Sequence, residues 1–376
     1  MHGLITRAGS RAKKACIWFG PTLTFLLCAE LAARHFYPQS SIPIVPDDIL
    51  NHAFKPNTTM HQARFEPHGL PAYERRINND GFVGERDISF SKSDRTYRIA
   101  YLGDSFIEGT CREEDAIPTI IGKRIKVPGR SRVEVINAGV SSYSPTLYYL
   151  MLKTRLLKFN PDLVVVNIDM TDVFDDSIYK ATLKLDDAGD IIACAPGHPA
   201  LATHRRTEQG LQEVPRLNAL AEQVYARSSF VRIATDATAS YRLRKKLQAS
   251  KETWDSFAWC GKQRSPETER DVQWSMTMLK RLIHLARSHG IRVIVTAIPY
   301  RQQLEGSWSL QPMQDIASAC REEGVPFLDP VPAFLKKIGE RPLSEIYLPR
   351  DIHFTPEGYR ILAEVQLEFL ESAGLP

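Results

Sequence analysis

The chain has 376 residues, with 48 Lys and Arg against 44 Asp and Glu and a formal net charge of +4. Hydrophobic residues make up 43% and charged residues 24%, which excludes wholesale disorder, because a disordered chain needs low hydrophobicity and high net charge. Only one stretch nears bilayer length, so a polytopic membrane protein is excluded as well.

That stretch opens the chain. Arg7, Arg11, Lys13 and Lys14 precede an apolar run from Ala15 to Ala29, and no acid appears before Glu30. A helix can continue to Ala33, close to the roughly twenty residues that cross the hydrocarbon. A cationic flank before an apolar run fits export. A cleaved signal peptide, an uncleaved signal-anchor and a buried soluble helix all compete for this segment. No A-x-A site lies between Ala29 and Ala33, and the bulky Leu27 before Cys28 makes a poor lipidation site. The expectation is therefore an uncleaved, single-pass anchor over residues 1–37. The positive-inside rule then leaves the amino terminus in the cytoplasm and places residues 38–376 on the periplasmic side of the inner membrane. The same four cations carry the whole charge excess: removing them from 48 leaves 44 basic residues against 44 acidic. The basic balance is thus a topology signal and gives no support for a nucleic-acid partner. A second basic cluster, Arg242, Arg244, Lys245 and Lys246, reads as the solvated face of a helix.

Residues 38–94 are rich in Pro, Asn and charge and read as a linker and amino-terminal extension, with a turn at Asn79-Asp80-Gly81. From residue 95 the texture becomes that of an α/β domain running to 376. Arg98–Leu102 is a short apolar strand, Ala116–Ile125 a helix, Val133–Ile136 a strand and Thr146–Phe159 a helix. Asp162–Ile168 is apolar on both faces, as a buried parallel strand should be. The alternation breaks over 177–265, read as an insertion carrying substrate loops, with a hairpin over Thr182–Ile192. It resumes with a helix over Pro266–His289 stopped by Gly290, a strand over Ile291–Ile298, a helix over Pro312–Glu323 and a strand over Val325–Leu328. Thr355-Pro356-Glu357 is an N-cap with Pro at the first helical position, opening a final helix to Ser372. Strands alternating with helices imply a mostly parallel sheet covered on both faces.

Of six cysteines, Cys16 and Cys28 lie in the expected anchor. Cys111, Cys194, Cys260 and Cys320 show no C-x-x-C spacing, so no zinc cluster is expected. Cys194 and Cys260 are either a disulfide of an oxidising compartment or buried free thiols.

The chemistry-bearing residues fall at the strand-to-helix junctions, where open α/β folds bind ligands. The first reads Gly103-Asp104-Ser105-Phe106 and places a Ser hydroxyl just past a buried strand. The second, Asn137-Ala138-Gly139, offers a backbone N–H at the same edge, either as an oxyanion donor or as a turn glycine. The third, Asp169-Met170-Thr171-Asp172, crowds polar groups onto the end of an apolar strand and puts Thr171 and Asp172 where ligand-facing residues belong. The fourth, Asp351-Ile352-His353, sets a His within two residues of an Asp that can orient it as a general base.

Together these residues resemble the SGNH/GDSL hydrolase superfamily, in its bacterial membrane-anchored branch. The resemblance covers roughly residues 78–176 and 291–372 and includes Asn79-Asp80-Gly81-Phe82. It implies a flavodoxin-like three-layer α/β/α sandwich with a mostly parallel sheet. It also implies Ser105 as nucleophile, Asp351 and His353 as orienter and base, and an oxyanion hole from Ser105, Gly139 and Thr171, with Asp104 and Asp172 in support. Two departures stand out. Thr171 replaces the Asn of the family's usual Gly-x-Asn-Asp, and Asp-x-His replaces Asp-x-x-His, a spacing also found in related exopolysaccharide acetylation proteins. The implied activity is that of a serine esterase or deacetylase on a small-molecule or polysaccharide ester, needing no cofactor or metal. The alternatives are an O-acetyltransferase acting on an extracellular polysaccharide and a non-catalytic carbohydrate-binding module.

Overall fold

The computed structural model describes residues 20–36, 40–64, 69–196, 204–207, 210–213, 227–235 and 255–374, with isolated positions at 220–221, 224 and 237–238. The chain divides into two compact units. The larger comprises residues 41–202 and 253–376, and the smaller comprises 1–40 and 203–252. The cationic segment at 7–14, Cys16 and the basic cluster at 242–246 lie outside the described residues.

In the smaller unit, helix α1 spans residues 20–36. It exposes Leu23, Phe25, Leu26, Leu27, Leu31 and Phe36. Glu30, the one acid of the expected anchor, accepts hydrogen bonds from the Ser228 hydroxyl at 2.8 Å and from the Ser229 and Phe230 amides at 3.0 Å. It thereby caps the helical turn that follows residue 228. Among the described residues no helix is long and apolar enough to cross a membrane. The expected span is not shown, because the described helix begins only at residue 20 and carries Glu30 and Arg34 in its second half.

The larger unit is built on a five-stranded sheet. Its strands are β5 (Thr96–Leu102), β6 (Arg132–Asn137), β7 (Leu163–Ile168), β12 (Arg292–Ala297) and β13 (Phe327–Leu328), in the order β13-β12-β7-β5-β6, all parallel. Every residue of β5 and β7 is buried, which is why Ile99–Leu102 and Leu163–Val166 read as apolar runs. The chain runs from β5 to one neighbour, β6, and then back to the other, β7. The order therefore reverses at the carboxyl end of β5, the place where such sheets bind ligands.

The helices that follow are α2 (Ser105–Glu108), α3 (Ile117–Arg124), α4 (Pro145–Met151), α5 (Asp172–Tyr179), α6 (Pro266–Ser288), α7 (Arg301–Leu304), α8 (Gln311–Glu322), α9 (Pro330–Ile338) and α10 (Pro356–Ser372). Helices α3, α9 and α10 pack together on one face, and α4, α5, α6 and α8 on the other. The long helix α6 starts where the Ser265 side chain accepts from the Thr268 amide at 3.0 Å, and α10 where Thr355 accepts from Gly358 at 3.3 Å. The expected helix over 146–159 is instead an α-helix to Met151, a π turn over Leu152–Leu156 and a 3-10 turn over Leu157–Phe159.

Residues 41–94 are more than a connector. They form two antiparallel pairs, β1 (Ile44–Asp47) with β2 (Asn51–Phe54) and β3 (Thr58–Gln62) with β4 (Tyr73–Ile77). Leu50, Phe54, Met60 and Ile77 enter the core. Their strands are short and mix in polar residues that are buried by hydrogen bonding, so no apolar period announces them. Arg75, 1% exposed, pairs with Glu113 and donates to the Glu108 and Gly109 carbonyls. The predicted hairpin lies at β8 (Leu183–Leu185) and β9 (Ile191–Cys194). A further pair, β10 (His204–Thr207) and β11 (Gly210–Glu213), belongs to the smaller unit. Cys111, Cys194, Cys260 and Cys320 are free and buried, so the pairing of Cys194 with Cys260 is not formed. Cys194 Sγ lies instead 3.2 Å from the Thr182 hydroxyl, and burial pushes its thiol up to about 11.

Candidate active site

Ser105 is the first residue of α2, directly after β5 and the residues Gly103 and Asp104. Asp104 caps this helix: its Oδ1 accepts from the Phe106 amide at 2.9 Å. Gly103 is required by close approach, since a Cβ there would meet Ile107 Cγ1 at 2.3 Å. The loop before α10 brings Asp351 and His353 to the same edge. The Ser105 Oγ lies 2.8 Å from His353 Nε2, and His353 Nδ1 lies 2.6 Å from Asp351 Oδ1. The same carboxylate oxygen accepts from the His353 amide at 2.9 Å, so the acid holds both the ring and its backbone. The Asp351 and His353 side chains are 3% and 9% exposed. The Phe106 ring packs against the imidazole, with centroids 4.8 Å apart. Arg350, just before the acid, has φ 57°, a left-handed conformation that a bulky residue keeps only when its surroundings hold it.

The other two expected oxyanion donors are engaged elsewhere. The Gly139 N–H donates to the Asn137 side chain at 3.0 Å, closing a turn on itself. Glycine is needed there because a Cβ would meet the Glu108 amide nitrogen at 2.2 Å, which presses the loop after β6 directly onto α2. The Thr171 hydroxyl donates to Asp169 Oδ1 at 2.6 Å, and its amide donates to the same oxygen at 2.7 Å. Thr171 is 2% exposed and faces an acidic interior. Asp172 is not ligand-facing either: it is fully buried, accepting from the Asp169 amide at 3.1 Å and from the Tyr148 hydroxyl at 3.2 Å.

These acids form a buried group behind the nucleophile. Tyr300 donates to Asp169 at 2.8 Å, and the Ser144 hydroxyl to Asp176 at 2.5 Å. Burial, and next the charge of Asp169, pushes Asp104 well above the ordinary carboxylate range. Burial pushes Asp172 up likewise, reinforced by Asp169 and Asp104. Asp176 and Glu108 are raised by burial, although their hydrogen bonds pull the other way. Among the described residues no group of His, Cys, Asp and Glu is arranged to hold a metal ion.

Sequence reasoning missed Tyr300, Glu108 and His52 as contributors to this edge. Glu108 stood three residues after Ser105 on the same short helix, and Tyr300 stood just past an apolar strand end. Nothing in the pattern of residues 41–94 pointed to His52.

The model of the GDSL-like lipase/acylhydrolase family matches residues 101–361. No curated protein matches the chain. Similar solved structures include a lipase/acylhydrolase from Enterococcus faecalis, 12% identical, with TM-score 0.39, covering 74% of this chain and 96% of that one. A catalytic mutant of an acetylxylan esterase from Geobacillus stearothermophilus is 12% identical, with TM-score 0.40 and coverages of 74% and 95%. A two-domain esterase active on acetylated mannans is 14% identical, with TM-score 0.39. The match covers 74% of this chain and 49% of that one, so this chain spans about half its length. With its matched region running through every junction described above, the chain belongs to the GDSL-like lipase/acylhydrolase family.

Proposed function

We propose that the protein is a serine ester hydrolase with Ser105 as nucleophile, His353 as general base and Asp351 as its orienter. The observation that carries this reading is the run of contacts from Ser105 Oγ to His353 Nε2 at 2.8 Å and from His353 Nδ1 to Asp351 Oδ1 at 2.6 Å. The imidazole takes the hydroxyl proton as Oγ attacks the ester carbonyl, then gives it to the departing alkoxide. Water, deprotonated by the same ring, resolves the acyl-enzyme and releases the acid. Among the described residues no acceptor meets the Ser105 N–H, which is the donor left for the oxyanion.

Asp104 has a part in this scheme. Its Oδ2 lies 3.1 Å from Ser105 Oγ and competes with His353 for the one hydroxyl hydrogen. In this geometry the hydroxyl donates to Asp104, a carboxyl that burial and the charge of Asp169 raise well above the ordinary range, and turning the hydrogen to His353 readies the nucleophile.

The acyl group belongs to a cell-envelope or exopolysaccharide ester. Support comes from the cations at 7–14 ahead of the apolar run Ala15–Ala29, the pattern of an exported, inner-membrane-attached protein. The test is hydrolysis of a short-chain aryl ester by the full-length chain beside Ser105→Ala. Loss in the variant is expected, and equal activity in both overturns the mechanism. Acetyl appearing on an added sugar rather than in water would make the protein a transferase.

A further inference from the structure

We propose that His52, on β2 of the amino-terminal extension, is a positioning residue that fixes the peptide joining Ser141 to Ser142 beside the nucleophile helix. The inference rests on the hydrolase reading above. The loop after β6 is held by side chains from separate elements. The Ser141 amide and hydroxyl both donate to Glu108 Oε2, at 2.8 and 2.6 Å, and Glu108 shares α2 with Ser105. The Tyr179 hydroxyl of α5 donates to the Ser142 carbonyl at 2.9 Å. His52 Nε2 lies 2.9 Å from the Ser141 carbonyl oxygen, and since a carbonyl only accepts, Nε2 carries the hydrogen.

The ring is itself well fixed. Its Nδ1 lies 3.1 Å from Asn51 Oδ1, and the Asn51 amide is oriented by donating to the Ala195 carbonyl at 2.8 Å. The Tyr143 hydroxyl donates back to the His52 carbonyl at 2.6 Å, and the two rings meet edge-on with centroids 5.1 Å apart.

What this clamp holds is an uncommon conformation. Ser142 has φ 65°, in the left-handed region that non-glycine residues enter only when held there. The Ser141 carbonyl and the Ser142 N–H belong to one planar peptide, so anchoring the carbonyl on His52 sets the φ of Ser142 and turns its N–H to the opposite side. Glycine at 142 needs no such holding. The extension thus reaches into the loop that packs on the helix bearing Ser105.

The test uses the full-length chain and a short-chain aryl ester. His52→Phe keeps a ring against Tyr143 and removes the donor to Ser141. We expect kcat to fall about five- to tenfold, the size of one lost hydrogen bond, with KM changed less than about twofold. His52→Gln, whose amide reaches the same carbonyl, restores most of the rate. His52→Phe combined with Ser142→Gly recovers it too, which a residue that merely docks the extension would not show. An unchanged kcat in His52→Phe, or a double variant as slow as the single one, overturns the inference. Amide hydrogen exchange over residues 139–143 reads the loop independently of Ser105. Faster exchange in His52→Phe supports the clamp, and unchanged exchange overturns it while leaving the hydrolase reading intact. Full activity in Ser105→Ala overturns the hydrolase reading and leaves the exchange result standing.

Discussion

Ser105 and Thr171 occupy matching places. Each follows a fully buried parallel strand, each stands at the start of a helix, and each has an aspartate within two residues. Their hydroxyls nevertheless do opposite things. Ser105 Oγ reaches out to His353 at 2.8 Å, while Thr171 Oγ1 turns inward to Asp169 at 2.6 Å and lies 3.4 Å from Asp175. Position at the ligand edge is shared, and what separates the two is whether the hydrogen-bonding partner is an imidazole placed to take the proton or a carboxyl that only accepts the hydrogen bond. The sharpest way to break this contrast is Ser105→Ala, for which we expect aryl-ester kcat/KM to fall at least about 1000-fold with the fold retained by circular dichroism. A smaller loss would take Ser105 out of the nucleophile's role.

Asp351→Asn comes next. One oxygen still accepts from both the His353 amide and Nδ1, but the side chain is neutral and no longer stabilises the imidazolium that forms as the ring takes the Ser105 proton. A loss of about 100- to 10,000-fold in kcat is expected. Activity within tenfold of wild type would show that the ring is oriented by its Phe106 packing rather than by the acid.

Thr171→Val probes the other half of the comparison. It removes the hydroxyl from a buried carboxylate and is expected to cost about 1–3 kcal/mol of stability in urea unfolding. The value of kcat should stay within about threefold. A fall of about 100-fold, the size of a lost oxyanion donor, would show that the hydroxyl swings toward the substrate during the reaction.

How much of this was legible follows the same division. The parallel strands, Ser105, Asp351 and His353 could be read because long apolar runs and junction residues leave direct signatures. The four strands of the extension could not, because Arg75, Asn78 and Gln62 are buried by hydrogen bonds rather than by hydrophobicity. Helix α5 was hidden for a related reason: Asp172 read as a ligand-facing residue at a strand end, yet it is buried together with Asp175 and Asp176. Gly139 and Thr171 were placed at the right edge, but whether a donor is already engaged depends on side chains up to a few residues away and on their rotamers, which spacing does not reveal.

Asp104→Asn should change activity less than about fivefold. An amide keeps the cap, its oxygen still accepting from Phe106, and removes the carboxylate that competes with His353 for the Ser105 hydrogen. Asp104→Ala is expected to lower stability by about 1 kcal/mol through the lost cap. A 1000-fold loss in Asp104→Asn would mean that the charge itself is needed.

The smallest expected effect concerns the pH dependence of stability. Asp172 is raised well above the ordinary carboxylate range, chiefly by burial and then by the charge of Asp169. Between the unfolded value near 4 and its raised folded value, the folded chain holds a proton that the unfolded chain has released. Its contribution is therefore fully present below about pH 4 and is lost as pH rises through the folded value, at about 1.4 kcal/mol per pH unit at most. Asp172→Asn mimics the protonated acid. The side-chain oxygen accepts from the Asp169 amide, and the NH₂ donates to Tyr148, whose hydroxyl can turn to the Tyr143 carbonyl 3.2 Å away. Glu322 and Glu357, lowered by exposed partners, act in the opposite sense but are the same in both chains and cancel in the difference. The urea midpoint of Asp172→Asn should fall less steeply than that of the wild type as pH rises above about 4. Parallel slopes would mean that Asp172 is ionised in the folded chain, and the acidic interior behind Ser105 would then have to be balanced by a cation rather than by shared protons.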